Sequence, residues 1–359
     1  MKRNELILLK ANLLCRGLRA SPAAKAALLR DYPHFFDKGF IDAANLNILG
    51  SNLCVSTNEK FTLNSPYTLF YRGGLYFIEA FGKEVIVNFF GNLPKTGTIL
   101  DNIARLHAEK TINIWPSTSC CFDLPSQKCA FCSLERKDIK PIDADYLAES
   151  IEKLLKKTPG FTLNFSGGTY FSPDNMARYW ISLVTKIRAF SDTPIAIELA
   201  PPSDLSLIDD LKNAGLNAII MNLEIADESL RAKVCPGKSA ITRPQYYKAF
   251  ERAVELFGWG QVSSVLIAGI QPKEDIIREC EIMAKLGVFP TIMPFRPVDT
   301  CGLAESPACS PEDLIYMSEI LGGLLREYDL APRRQEGCTK CGGCSIENDC
   351  FETKEVINF

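Results

Sequence analysis

Residues 111–135 read TINIWPSTSCCFDLPSQKCAFCSLE. The opening TINIWP is a short, largely apolar run of strand length, ended by Pro116 and the serine beyond it. Four cysteines follow at once, Cys120, Cys121, Cys129 and Cys132, in a loop that also carries Pro125. A strand that feeds directly into a thiol-rich loop puts metal or redox chemistry at a strand's carboxyl end, where barrels of parallel strands keep their sites.

The same strand-then-helix period repeats downstream. FTLNF (161–165), IAIEL (195–199), NAIIMNLEI (217–225), QVSSVLIAG (261–269) and FPTIMPF (289–295) read as strands. Helical patterns lie between them, from about Ala144 to Lys156, after Pro173, over 204–215, from Arg243 to Phe257 and over 274–287, and a last helix starts near Pro311. Six β/α units in about 200 residues argue for a parallel sheet with right-handed crossovers, and are too few for an eight-stranded barrel. The expected fold is α/β: a partial (β/α)6 TIM-like barrel over 111–300, a small N-terminal α+β unit over 1–110, and a C-terminal cysteine-rich extension over 301–359. In the N-terminal unit, a first helix precedes YTLFYRGGLYFIEAFGKEVIVNFF (67–90), a three-stranded antiparallel meander with tight turns at Gly73-Gly74 and Gly82-Lys83.

Composition narrows the function. The chain of 359 residues has a formal net charge of -3, so nothing global recommends nucleic acid or an anionic membrane as partner. No apolar run approaches a membrane span. The N-terminal stretch is interrupted by Glu5, Lys10 and Arg16 and reads as an amphipathic helix rather than a signal peptide, which makes the expected location cytoplasmic. Only two histidines are present, His34 and His107, which argues against a Ser-His-Asp enzyme and a histidine-rich zinc site. Of the 14 cysteines, eight fall in two groups, at 120–132 and 338–350, a clustering that favours metal binding or redox chemistry over disulfides. Cys129 and Cys132 have C-x2-C spacing, with Cys120 and Cys121 upstream. Three such thiolates can hold three irons of a [4Fe–4S] cluster and leave the fourth iron open. A zinc knuckle is the alternative and would want a fourth ligand nearby.

The loop resembles that of the radical S-adenosylmethionine (SAM) superfamily, whose usual form is C-x3-C-x2-C with an aromatic before the third cysteine, the place of Phe131. The first gap is longer here, and either Cys120 or Cys121 can be the first ligand. The resemblance implies that Phe131 packs near the SAM adenine. Gly167 and Gly168 in NFSGGTYFSPD match the segment that contacts the SAM amino group, their lack of side chains letting carbonyls approach a ligand; Thr169 stands where an acid is common. Glu198 and Glu224, at strand ends, suit the ribose or the ammonium, and Arg231 and Lys238 suit a carboxylate. Gly269 and TIMPFRP match further segments of the same superfamily. The phrases ELAPPSD, NLEI, CPGKS and PFRPVDTCG resemble the biotin-synthase-related, lipoyl-synthase-like branch.

The second group, EGCTKCGGCSIENDC (336–350), offers Cys338, Cys341, Cys344 and Cys350 with two glycines that allow a tight wrap. It reads as a second iron–sulfur cluster, or else a structural zinc site, on an extension folded back over the barrel mouth. Cys301 and Cys309 are spare ligands; Cys15, Cys54, Cys235 and Cys280 read as packed thiols. The implied activity is reductive cleavage of SAM at a [4Fe–4S] cluster to a 5′-deoxyadenosyl radical, which takes hydrogen from an unactivated carbon, with sulfur insertion as the preferred outcome. Dehydrogenation, rearrangement or methylation with the second cluster as electron conduit is the alternative, and a zinc-stabilised binding protein without turnover is a third reading. The implied partners are a small-molecule or carrier-bound substrate and a one-electron donor such as ferredoxin or flavodoxin.

Overall fold

The computed structural model describes residues 1–32, 44–117, 119–134, 141–169, 174–332 and 336–353. Thirteen strands lie among them: β1 Arg19–Ala20, β2 Ala44–Ile48, β3 Ser51–Val55, β4 Thr68–Arg72, β5 Leu75–Ala80, β6 Lys83–Phe89, β7 Ala104–Ala108, β8 Thr111–Ile114, β9 Thr162–Phe165, β10 Ile195–Glu198, β11 Ala218–Ile220, β12 Val262–Ala268 and β13 Val288–Pro294. They form a six-stranded sheet in the order β1-β4-β5-β6-β2-β3 and a seven-stranded sheet in the order β13-β12-β11-β10-β9-β8-β7.

The larger sheet is the partial barrel. Its strands β8 to β13 pair in parallel, each with its sequence neighbour. The edge strand β7 runs antiparallel to β8 and extends the sheet upstream of residue 111. Helices cover the outer face, and local sequence sets their starts. Asp143 caps the helix Ala144–Leu155 by accepting from the Asp145 and Tyr146 N–H groups, and Leu147, Ile151 and Leu154 recur at the helical period on its buried side. Ser310 and Pro311 start the helix Pro311–Glu327 in the same manner. Trp180, on the helix Ala177–Arg188, packs its ring 5.6 Å from that of Phe165. Alternation along β9 then turns Asn164 to the opposite, inner face, beside its register partners Asn113 and Ala196.

The N-terminal sheet has more strands than the expected meander. The hairpin β2–β3, the short β1 and a second helix, Pro22–Asp31, add to it. The hairpin ANLNILGSNLCV (44–55) is hard to see in the sequence because asparagines interrupt its apolar alternation. The second meander turn falls at Phe81 and Gly82, with φ of 52° and 70°, so Lys83 already belongs to β6.

The C-terminal extension differs from expectation in its placement. It does not simply cover the mouth. Gly337 lies against the inner wall, where an added Cβ would stand 2.7 Å from the Ala196 Cβ and 3.6 Å from the Ile220 Cδ1. The N-terminal unit holds it there. Lys10, almost fully buried, donates to the Gly342 carbonyl (2.7 Å) and to Asp349 Oδ2 (2.8 Å), and Ser51 Oγ donates to Asp349 Oδ1 (3.0 Å). The Asn52 amide donates to the Cys341 carbonyl (2.9 Å).

Two stability measurements follow from this packing. Lys10→Ala strips a buried carboxylate of its ion pair, which costs about 3 kcal/mol; it lowers the urea midpoint and exposes residues 338–353 to limited proteolysis. Glu347 is fully buried, and burial pushes its carboxyl up to about 7. The folded state therefore holds this proton more tightly than the unfolded one, so its contribution is full below the ordinary glutamate range and is lost as pH rises through 7. Urea titrations should show about 3 kcal/mol of stability lost across that window, with a flatter profile in Glu347→Gln.

Candidate cofactor site

The carboxyl ends of the inner strands each contribute a polar group. Ser166 follows β9, Glu198 closes β10, and Asn222 and Glu224 follow β11. Ser166 Oγ donates to Glu198 Oε2 (2.7 Å), and the Asn222 amide donates to the other carboxylate oxygen. Asn222 is itself oriented, its Oδ1 accepting from the Val265 N–H at 3.1 Å. Burial raises the Glu198 carboxyl above its ordinary range despite those hydrogen bonds.

Glu224 is held differently. Its backbone is left-handed, with φ of 69°, a conformation that costs a non-glycine residue about 1 kcal/mol or more. Backbone bonds to Val265 (2.8 Å) and Ile267 (2.9 Å), and the Gln271 amide on its carbonyl (2.8 Å), enforce it. The outcome is a carboxylate turned to Lys238 Nζ at 2.8 Å, with both side chains largely buried. Burial works against the Lys238 ammonium, but Glu224 outweighs it and holds the lysine charged. Glu224 Oε2 is buried without a hydrogen-bond partner. Backbone strain and an unsatisfied oxygen beside a buried cation are features that packing alone does not call for.

The cysteine loop sits directly on this floor. Cys121 N–H donates to the Thr169 carbonyl (2.6 Å), and Gly168 N–H to the Ser117 carbonyl (3.3 Å). On its other side Ala130 N–H donates to Val234 (2.7 Å) and Gly237 N–H to Gln127 (3.1 Å). A Cβ on Gly167 would fall on the Ser117 carbonyl oxygen, and one on Gly168 on that of Ser119, 2.9 Å from the Cys120 Cβ. The two glycines are thus needed chiefly for the loop's approach, whereas the sequence suggested a ligand's approach. Gly167, Gly168, Thr169, Glu198, Asn222 and Lys238 line one cavity of about 50 Å³, room for a ligand's head group rather than a whole nucleotide.

Three of the four loop thiols lie in hydrogen-bonded pairs. Cys121 donates to Cys120, which brings the Cys120 thiol down to about 6, with Lys238 contributing. Cys129 pairs with Cys235, a buried thiol that the sequence offered only as packing; that hydrogen bond, then burial, raises Cys129. Burial pushes Cys132 up to about 12, and Cys129 and Cys120 are near enough to add to it. Among the described residues no three ligand side chains close into a ready-made cage, so holding a cluster requires these thiols to turn from their pairs toward one point. Phe131 is half-buried in the turn between Cys129 and Cys132.

Arg231 is elsewhere. It is buried, donates to the carbonyls of Ile241 (2.7 Å), Lys238 (3.1 Å) and Leu223 (3.3 Å), and lies over the Tyr246 ring at 5.1 Å. It braces the segment that carries Lys238 and presents nothing to a ligand. In the second cysteine group, the Cys338 side chain lies outside the described residues. Cys350 is buried in the apolar core, its backbone against Gly322 of the helix Pro311–Glu327, while Cys341 and Cys344 turn toward the N-terminal unit. Cys309 pairs with Cys15 instead of acting as a spare ligand.

The donor set fits a thiolate-held cluster and a ligand with both cationic and anionic groups: four loop thiols, one unsatisfied carboxylate oxygen and one buried ammonium. Cys129→Ala and Cys132→Ala should each remove the iron held by the cysteine loop, read as a drop in iron content and in absorption near ~400 nm in anaerobic protein. Of Cys120→Ala and Cys121→Ala, one should do the same and the other keep its iron. Gly168→Ala should lower iron content while leaving far-ultraviolet circular dichroism unchanged, because its Cβ displaces the loop and not the sheet.

Comparison with known proteins agrees with this site. The family model described as the radical SAM superfamily matches residues 121–287. Over 156 residues, 41% of the chain, the sequence is 28% identical to bacteriochlorophyllide c C-7(1)-hydroxylase of Chlorobaculum limnaeum; the match spans 39% of that relative's length. Among solved structures, the FeFe-hydrogenase maturase HydG of Carboxydothermus hydrogenoformans is similar at 15% identity with a TM-score of 0.46, covering 64% of this chain and 53% of that one. Coproporphyrinogen III oxidase (HemN) of Escherichia coli is similar at 18% identity with a TM-score of 0.42, covering 60% and 51%. The family match runs from the cysteine loop, pinned over the carboxyl ends of the parallel strands, to the end of the fifth crossover helix, so it is this stretch, residues 121–287, that is similar to the radical SAM superfamily.

Proposed function

We propose that the protein is a radical SAM enzyme that removes hydrogen from an unactivated carbon of a small-molecule or carrier-bound substrate held inside the partial barrel. The observation that carries this reading is the placement of the loop of Cys120, Cys121, Cys129 and Cys132 between Gly167–Thr169 at one end and Val234–Gly237 at the other, beside the unsatisfied Glu224 Oε2 and the charged Lys238. When bound, a [4Fe–4S] cluster and SAM supply a 5′-deoxyadenosyl radical after one-electron reduction by a donor such as ferredoxin or flavodoxin. The chain's own residues bind and orient. Glu224 accepts from the ligand's ammonium or ribose, Lys238 faces its carboxylate, and Glu198, locked by Ser166 and Asn222, offers a fixed acceptor without rotamer search. Thr169 brings no carboxylate, and its carbonyl is engaged by the Cys121 N–H of the cysteine loop.

For the step after abstraction, the second cysteine group supports sulfur insertion, because thiols beside the barrel's inner wall can hold a sulfur-bearing centre near the substrate carbon. Hydroxylation is the second reading, favoured by the name of the Chlorobaculum limnaeum relative. Anaerobic protein incubated with SAM and reductant should release 5′-deoxyadenosine, detected by mass spectrometry; no release from iron-loaded protein would refute the enzyme reading. Glu224→Gln should weaken SAM binding about tenfold. A product heavier by one sulfur, with matching loss of sulfide from the protein, separates insertion from a product that takes oxygen from labelled water.

A further inference from the structure

Gln271 sits between two conformationally restricted residues. Gly269, two positions before it, has a φ of 96°, and a Cβ there would stand 2.9 Å from both the Cα and the Cβ of Cys309, so the turn leaving β12 is pinned. Pro272 follows Gln271 and is the N-cap of the helix Lys273–Lys285, and a residue before proline is kept extended. From this fixed backbone the Gln271 side chain reaches the segment beyond β11. Its Nε2 donates to the carbonyls of Glu224 (2.8 Å) and Ile267 (2.9 Å), and its Oε1 accepts the Ala226 N–H (2.8 Å). Both amide hydrogens and the oxygen are thus engaged. Gln271 does not line the cofactor cavity.

The three bonds grip the chain just beyond the left-handed Glu224, at the carbonyl leaving it and at the N–H entering Ala226. The other restraint on Glu224 is a single isolated bridge to Leu266, through its bonds to Val265 and Ile267. A strained residue persists only where its surroundings over-determine it, and one bridge is a narrow hold. Relaxed to extended backbone, Glu224 would turn its carboxylate away from Lys238, which it now meets at 2.8 Å. The same grip fixes the entry to the helix Glu228–Val234, because Ala226 directly precedes its N-cap Asp227. At the far end of that helix, the Val234 carbonyl takes the Ala130 N–H of the cysteine loop.

We propose that Gln271 is a positioning residue of the cofactor site: its carboxamide, touching no ligand itself, latches Glu224 in the left-handed conformation on which SAM affinity depends. The proposal rests on the assignment of Glu224 and Lys238 to SAM made above. It places the control of a charged pair after β11 in a neutral side chain after β12.

Gln271→Met keeps length and volume and removes all three bonds. Gln271→Glu keeps the acceptor for Ala226 and, ionised, turns an oxygen on the carbonyls of Glu224 and Ile267. Hydrogen exchange on the metal-free full-length variants, at unchanged far-ultraviolet circular dichroism, should show protection lost in residues 222–230 and not in the other strands. Equilibrium dialysis of labelled SAM against anaerobic, iron-loaded protein should show affinity lowered about tenfold in Gln271→Met, with Gln271→Glu no better. Because Gln271 acts through Glu224, the Gln271→Met/Glu224→Gln double variant should bind SAM no more weakly than Glu224→Gln alone. Wild-type affinity in both Gln271 variants would overturn the latch, as would losses that multiply in the double variant. Wild-type affinity in Glu224→Gln would instead overturn the assignment of Glu224 to SAM, and with it the functional half of the proposal, while the exchange data still read the latch itself.

Discussion

The architecture of the site depends on backbone meeting backbone with no side chain between. The cysteine loop rests on Gly167 and Gly168 so closely that any Cβ there would occupy the position of a loop carbonyl oxygen. Interiors are close-packed, so a contact of this kind admits no compromise: the loop lies on the strand ends or it moves away bodily. The hydrogen bonds between Cys121 and Thr169 and between Gly168 and Ser117 use the donors and acceptors that such proximity would otherwise strand.

Electrostatics inside that frame is arranged by rigidity more than by the number of charges. Glu198 is fixed through both carboxylate oxygens, Asn222 through its own amide and carbonyl, and Glu224 through a left-handed backbone that several hydrogen bonds impose. Groups held this way keep their orientation at no cost when a ligand arrives, which is the physical content of preorganisation. Arg231 belongs to the same logic one layer back, where it ties the chain between Leu223 and Ile241 so that Lys238 meets Glu224.

The N-terminal unit acquires a role from its contacts. Its first helix supplies Lys10, its hairpin supplies Ser51, Asn52 and Cys54, and all four reach the C-terminal extension. The extension is thereby sewn to the opposite end of the chain and pressed along the inner wall, with no helix among the described residues long and apolar enough to cross a membrane.

Much of this was legible in the sequence. The six parallel strands announce themselves as short apolar runs between helical periods; the clustered thiols of Cys120 to Cys132 mark metal or redox chemistry, and the pair Gly167–Gly168 gains meaning only from its resemblance to the radical SAM pattern. Those features are local, set by side-chain alternation, capping and turn chemistry within a few residues. What tertiary structure decided is which distant groups meet. Cys54 reads as an ordinary thiol until its strand edge takes up the Gly343 carbonyl, and Arg231 reads as a free cation until carbonyls surround it. Cys350, in spacing indistinguishable from a ligand, is drawn to the apolar core because the helix it sits on packs there. Spacing along a chain constrains only near neighbours; the burial of whole elements against one another selects the rest, and it does so through shape and apolar area that no single residue carries.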